Sequence, residues 1–465
     1  MCIRDRRTSY DDDRFRTSIR EGLLSFVRPD EVDEKAIQAF LSCLHYLSAD
    51  PSEPEAYAEL KTRLEEIDRT IDNPHNYLYY LATPPLLYGV IPRHLKAEGL
   101  NREGDGFRRI VVEKPFGYDL SSALELNRIY LDAFREEQIY RIDHFLGKET
   151  VQNILALRFA NSVFEPLWNR NYIDYVEITA VENMGIGTRG GFYDGVGTLR
   201  DMVQNHLAQL LAVTAMEPPA AFDASGFRNE VVKVYQSLTP LTGEDIRHSV
   251  VRGQYMASEG RKGYREEEQV PALSRTETYL AMRLELNNWR WGGVPFYIRT
   301  GKQMPTKVSE IVIHFKPAPY SLFRCEGGTC PVPNRLVIRI QPNEGIVLRL
   351  GMKKPGEGFE VLPMDMDFSY AELGRLPTED AYARLIEDCI AGDPTLFIRS
   401  DAVESGWRFF DPILKYWQDV PECPLYGYPA GSWGPLEADS LVARQGASWT
   451  NPCKNLTNTH LYCEL

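Results

Sequence analysis

Between residues 174 and 353 the sequence carries six closely spaced runs of alternating apolar and polar residues: DYVEITAVE (174–182), TYLAMRLELN (278–287), VPFYIRT (294–300), SEIVIHFK (309–316), NRLVIRIQP (334–342) and GIVLRLGMK (345–353). A two-residue period sends successive side chains to opposite faces of a strand, and the clustering of such runs predicts one large, mainly antiparallel sheet. Helical patterns at 198–216 and 376–391 interrupt the series. The expected architecture here is α+β, with helices gathered against one face of the sheet.

The chain before Gly147 has a different character. From Asp11 to about Leu100 it is helical and amphipathic, with AFLSCLHYL (39–47) and AYAELKTRLEEI (56–67) on either side of the breaker-rich DPSEP at 50–54. NYLYYLATPP (76–85) and RRIVVEKPFG (108–117) are apolar runs ending in proline and glycine. Parallel strands end this way where they enter functional loops, so this part is expected to be a doubly wound α/β domain. A chain of 465 residues, 43% hydrophobic and 25% charged, has room for two such domains. They are expected at 1–149 and 150–465.

A formal charge of −14 gives no whole-molecule attraction to nucleic acid or anionic lipid. Any anionic ligand must therefore meet local positive charge. The eight cysteines are scattered without zinc-site spacing and read as free thiols in a reducing compartment, with no metal expected. No apolar run approaches the ~18–20 residues of a membrane span, and the opening MCIRDRRTSYDDD has charges where a signal peptide needs an apolar stretch. A cytoplasmic protein without nucleic-acid or membrane partners is expected.

Four segments carry the chemistry. RIDHFLGKE (141–149) places His144 and Lys148 four apart, where they would share a helical face and offer two donors to one phosphate; Asp143 could instead polarise a histidine elsewhere. A surface turn with a capping Asp is the plainer reading. TLRDMVQNHLAQLL (198–211) sets Asp201, Gln204, Asn205 and His206 inside an apolar run. On an α-helix His206 would stand roughly 140° from Asp201, so the two need not share a contact. In PFYIRTGKQMPTK (295–307), Lys302 and Lys307 follow a strand and could face an anion, and VVEKPFG (111–117) puts Lys114 at a strand end before a proline. Lysines in loops are commonly just solvated.

Taken in order, these segments resemble the glucose-6-phosphate dehydrogenase family, whose signature D-H-[YF]-L-G-K-E stands here as Asp143 to Glu149 with Phe145 in the aromatic slot. The resemblance runs from about Arg7 to about Trp449 and takes in YLATPP, EKPFG, QNH, WGGVPFY (291–297), PNRLVIRIQP and GSWGP (431–435). It implies oxidation of glucose 6-phosphate at C1 with hydride transfer to NADP, the first oxidative step of the pentose phosphate pathway. By the same resemblance His206 is the general base and Asp143 its partner. His144 and Lys148 match phosphate ligands, Glu182 and Asp201 match carboxylates on the sugar hydroxyls, and Lys302 and Lys307 match lysines on the far side of the substrate. Lys114 looks like the cofactor and substrate lysine. Association through the large sheet as a homodimer or homotetramer is also implied.

The chain departs from the family at its start, where the Gly-rich turn after the first strand is absent. A Rossmann-like domain lacking its first βα unit is therefore expected, with Arg7 close to the arginine that pairs with the adenosine 2′-phosphate. MCIRDR and the last residues, from Thr450, fall outside the pattern and read as foreign or variable. Two other functions fit parts of the pattern: a non-catalytic sugar-phosphate binder, and another NAD(P)-dependent sugar oxidoreductase with an E-K-P lysine. The phosphate-binding set has no purpose for a neutral sugar, and a sheet acting only as an interface leaves the polar string at His206 without a role.

Overall fold

The computed structural model describes residues 2–4, 10–28, 32–71, 75–320, 322, 334–356, 358–370, 380–443 and 447–452. The chain packs as two units, one of residues 1–113 with 125–140 and one of residues 114–124 with 141–465.

In the first unit, β1 (Cys2–Arg4) pairs in parallel with β2 (Tyr46–Ser48), while β3 (Tyr77–Leu81), β4 (Arg108–Val112) and β5 (Ile139–Arg141) form a second sheet in that order. β3 and β4 are parallel. Ile110, Val111 and Val112 are fully buried, as befits a strand covered on both faces. Helices Asp12–Phe26, Glu34–Ser42 and Glu55–Ile71 precede this sheet. The first is capped by Asp11, whose carboxylate accepts from Arg14 N, and the second by Asp33, which accepts from Lys35 N and Ala36 N. The helical pattern expected through 39–47 stops at Ser42, and Tyr46 and Leu47 are buried in β2 instead. So short an apolar run has no period of its own, and pairing with β1 decides it.

The second unit is built on nine strands: β6 (Ile173–Val181), β7 (Val250–Met256), β8 (Tyr279–Glu285), β9 (Pro295–Gly301), β10 (Val308–Phe315), β11 (Arg335–Gln341), β12 (Gly345–Lys353), β13 (Val361–Ser369) and β14 (Tyr426–Pro429). Their order across the sheet is β13-β12-β11-β10-β6-β9-β8-β7-β14. All neighbours are antiparallel except β6 with β9 and β7 with β14. Each of the six alternating runs in the sequence is a strand of this sheet. The central strands are buried on both faces, one of them against a cluster that includes Tyr175, Tyr255, Tyr279, Tyr297, Tyr428 and Trp449.

The parallel pair positions the site. β6 and β9 run in register with Val181 opposite Gly301, so the next residues, Glu182 and Lys302, leave the sheet side by side. β10 pairs Val308 with Val181, which starts the Lys307 end of that strand at the same rim, and β11 closes it with Gln341 opposite Ser309. Four strand ends thus deliver polar side chains to one edge of the sheet.

Candidate functional site

A cavity of about 350 Å³ lies at this rim, lined among others by Lys114, His144, Lys148, Glu182, Asp201, His206, Lys302, Lys307 and Gln341. It belongs wholly to the second unit. The turn 142–148 carries Asp143, His144 and Lys148 to it and then enters the helix Glu149–Phe159. His144 and Lys148 meet the cavity from this turn rather than from one helical face. Gly147 must be glycine here, because a Cβ would lie 2.6 Å from the Ala381 carbonyl oxygen.

The opposite wall is a π-helix, Leu199–Leu207, which continues into the α-helix Ala208–Ala215. The α-helical geometry assumed for Asp201 and His206 is therefore not the one that forms. A π-helix bonds i→i+5 and turns less per residue than an α-helix, so residues five apart lie closer to one side. Lys114 Nζ touches both, at 2.9 Å from Asp201 O, 3.3 Å from Asp201 Oδ1 and 2.8 Å from His206 Nε2.

His206 is 2% exposed, and its Nδ1 lies 2.5 Å from Asp143 Oδ1. An ionised carboxylate only accepts, so Nδ1 carries the proton and Nε2 presents its lone pair to the cavity and to Lys114. Burial pushes the His206 pKa below the usual histidine range, Lys114 adds to that, and Asp143 opposes it. The imidazole is therefore neutral at physiological pH. Burial alone would raise Asp143, but the adjacent His206 outweighs it and the carboxyl is held at about 2.

Beside it, burial and the neighbouring His206 lower His144 to about 4, and burial and Lys307 lower Lys148 to about 8. Lys148 Nζ donates to Gln341 Oε1 at 2.5 Å, and Gln341 Nε2 donates to Ser309 Oγ at 3.1 Å. Lys302 Nζ is paired with Glu182 and lies 3.3 Å from Asp201 Oδ2. Lys114 and Lys302 in turn hold Asp201 below the ordinary carboxylate range against the upward push of burial. Cationic groups and the Asp143–His206 pair thus share one cavity, with the His144 and His206 rings 4.5 Å apart between centroids.

Nine of the ten residues singled out in the sequence thus come together, with Asp143 behind His206. Arg7 lies outside the described residues. Sequence reasoning missed Gln341 and Ser309. Gln341 closes the strand pattern NRLVIRIQP at a proline, and a polar residue at a strand end before a forced turn was the available signal. Asp143, His144 and His206 hold ligand-type atoms within 4.8 Å of one another, close enough for a metal ion. Lys114 puts an ammonium group on His206 Nε2, which opposes a second cation there.

Comparison with known proteins follows the same lines. The family description "Glucose-6-phosphate dehydrogenase, NAD binding domain" matches residues 2–153, and "Glucose-6-phosphate dehydrogenase, C-terminal domain" matches residues 155–450. The glucose-6-phosphate 1-dehydrogenase of Aggregatibacter actinomycetemcomitans is 51% identical over 450 residues, covering 96% of this chain and 89% of that protein. Its counterpart from Treponema pallidum is 47% identical, covering 99% and 90%. A solved glucose-6-phosphate dehydrogenase in complex with its substrate glucose 6-phosphate superposes with a TM-score of 0.87 at 33% identity, over 97% of this chain and 91% of that one. The enzyme from Mycobacterium avium gives 0.80 at 36% identity, over 97% and 92%. The strand order, the cavity and these matches together show that the chain belongs to the glucose-6-phosphate dehydrogenase family.

Proposed function

We propose that His206 is the general base by which this chain oxidises D-glucose 6-phosphate at C1 to 6-phospho-D-glucono-1,5-lactone. The observation that carries the assignment is the neutral imidazole, held through Nδ1 by Asp143 with Nε2 turned to the cavity, where Lys114 Nζ lies 2.8 Å away. His206 Nε2 takes the proton from the C1 hydroxyl as the C1 hydrogen leaves with its electron pair, and the C1–O bond becomes a carbonyl. Asp143 orients the ring and stabilises the imidazolium that forms. The sugar hydroxyl displaces the Lys114 ammonium from the Nε2 lone pair. Glu182 and Asp201 accept hydrogen bonds from the sugar hydroxyls, while Lys148, Lys302 and Lys307 supply the positive charge that the phosphate requires and the neutral His144 donates an N–H to it.

NADP, when bound, supplies the acceptor for hydride. The first unit has a place suited to a polar cofactor, since the Thr83 hydroxyl at the carboxyl end of β3 is buried without a hydrogen-bond partner among the described residues. Ligands of parallel α/β sheets bind at that end of the strands. Lys114 and Arg7 are the cofactor residues proposed from the family pattern. The functional division at 1–149 and 150–465 and a cytoplasmic location are part of the same reading. Among the described residues no helix is long and apolar enough to cross a membrane.

Association through the sheet is supported by its β13 edge. Cross-strand pairs Ile346/Phe368, Leu348/Met366, Leu350/Met364 and Met352/Leu362 put eight apolar side chains on one face. Met364 and Met366 there are 55% and 64% exposed. A stripe of this size is uncommon on a monomer, and a second copy offering the same stripe covers it symmetrically as a homodimer, with a homotetramer as the next step.

The test is the appearance of NADPH absorbance on mixing the protein with glucose 6-phosphate and NADP, with glucose and NAD as controls. Turnover with the phosphorylated sugar alone supports the reading. A folded protein that binds glucose 6-phosphate without turnover supports the non-catalytic binder.

A further inference from the structure

The π-helix lacks a local cap. Thr198, the residue before it, makes no side-chain cap, so the first amides need partners from elsewhere. One residue supplies them from 78 positions past Leu199: Leu199 N donates to Glu277 Oε1 at 3.0 Å, and Thr198 N donates to Glu277 O at 3.1 Å. The Thr198 hydroxyl also donates to Glu277 O at 3.0 Å. Glu277 is buried, and burial raises its carboxyl pKa against the lowering influence of the Leu199 amide, Arg252 and Arg200. Gly197 adopts φ +73°, and a Cβ there would sit 2.5 Å from Glu277 Oε1. Only glycine allows the chain so close to the carboxylate.

The next residue reaches the other wall of the cavity. Thr278 O accepts from Lys302 N at 2.9 Å, and Lys302 Nζ lies 3.3 Å from Asp201 Oδ2. Glu277 and Thr278 thus tie the start of the π-helix and the end of β9 to a single point at the entry to β8.

We infer that Glu277 is a positioning residue for the reaction: by capping the π-helix across the fold, its carboxylate keeps Asp201 and His206 on the side where Lys114 reaches both. Without the cap the first turn is free to rewind towards the α-helical repeat, which sets those residues roughly 140° apart. Asp201 then leaves Lys114 and Lys302, and the base loses its aligned neighbours. Lys148, held by Gln341 of β11, keeps its place.

This inference rests on His206 as the base, and the experiment separates the two. In Glu277→Ala, kcat is expected to fall about 10- to 100-fold, with a smaller rise in KM for glucose 6-phosphate from the displaced Asp201 and with the acid limb of kcat displaced. Glu277→Gln, which keeps the accepting oxygen, is expected to restore kcat to within about threefold of the parent. Glu277→Met keeps the volume without an oxygen, and Gly197→Ala pushes the carboxylate away. Both carry the alanine expectation if the alanine protein does not fold. Parental kcat and pH profile in the folded Ala, Met or Gly197 variants, or a Gln variant as impaired as Ala, overturns the role of Glu277. If His206→Asn remains impaired alongside, the base assignment stands; parental kcat in His206→Asn removes that assignment itself.

Discussion

Lys114 Nζ lies 2.8 Å from His206 Nε2, so a cation occupies the position from which the proposed base must accept its proton. With Asp143 on Nδ1, the imidazole is held between an acid that raises its pKa and an ammonium that lowers it. The balance of the two, with burial, fixes the pH at which the base becomes available.

His206→Asn is expected to lower kcat by about 10²- to 10⁴-fold with little change in KM for glucose 6-phosphate, as loss of a general base does. Steady-state kinetics read this directly. A rise in KM with kcat intact would assign His206 to binding instead.

The pH dependence follows from the two neighbours. A base with a lowered pKa stays unprotonated further into acid, so the acid limb of kcat/KM is expected below the ordinary histidine value of about 6.5. Asp143→Asn removes a raising influence and moves the limb lower still, along with a loss of kcat. Lys114→Met removes a lowering influence and moves it up. Opposite displacements in the two variants are the distinguishing result.

At the phosphate end, Lys148 titrates at about 8 in the free protein. Its ammonium is lost as pH rises through that value, so KM for glucose 6-phosphate is expected to climb above pH 8 while kcat holds. Lys148→Arg, which stays charged, should flatten that rise. His144→Ala and Lys148→Ala should each raise KM before they affect kcat.

Stability should fall in mild acid. The unfolded chain protonates a histidine near 6.5, whereas folded His144 takes a proton only near 4. Between those values the unfolded state binds more protons, so stability decreases as pH falls across the window. A series of melting temperatures should show this decline, shallower in His144→Gln. An unchanged slope in that variant would place the acid sensitivity elsewhere.

Met366→Asp places a charge in the centre of the exposed apolar stripe of β12 and β13. Light scattering is expected to show a smaller species than for the parent, with the fold intact by circular dichroism. A monomeric parent would remove the proposal of association through this edge.

Much of this was legible in the sequence because two-residue alternation persists in β6 and β8 to β12 even where both faces are buried, as where Glu177 and Thr179 alternate with Val176, Ile178 and Ala180. β13 escaped notice because VLPMDMDFS is exposed on most of its length and carries a proline and two aspartates, poor marks of a strand. Its pairing comes from β12 and from the ion pairs of Arg349 with Asp365 and Arg339 with Asp367. The site residues were legible because RIDHFLGKE and QNH concentrate polar groups in apolar surroundings. Their mutual geometry was not. The π-helical repeat of Leu199–Leu207 depends on Glu277, which no pattern near residue 200 reveals.

The odd and even positions of β13 do different work, since Asp365 and Asp367 face the arginines of β11 and β12 while Leu362, Met364, Met366 and Phe368 face away from them. A deletion of one codon within 361–369 would exchange these faces for every residue beyond it, turning aspartates into the apolar stripe and methionines onto guanidinium groups. A point change along this strand therefore alters one face at one position, whereas a change of its length alters both faces at once.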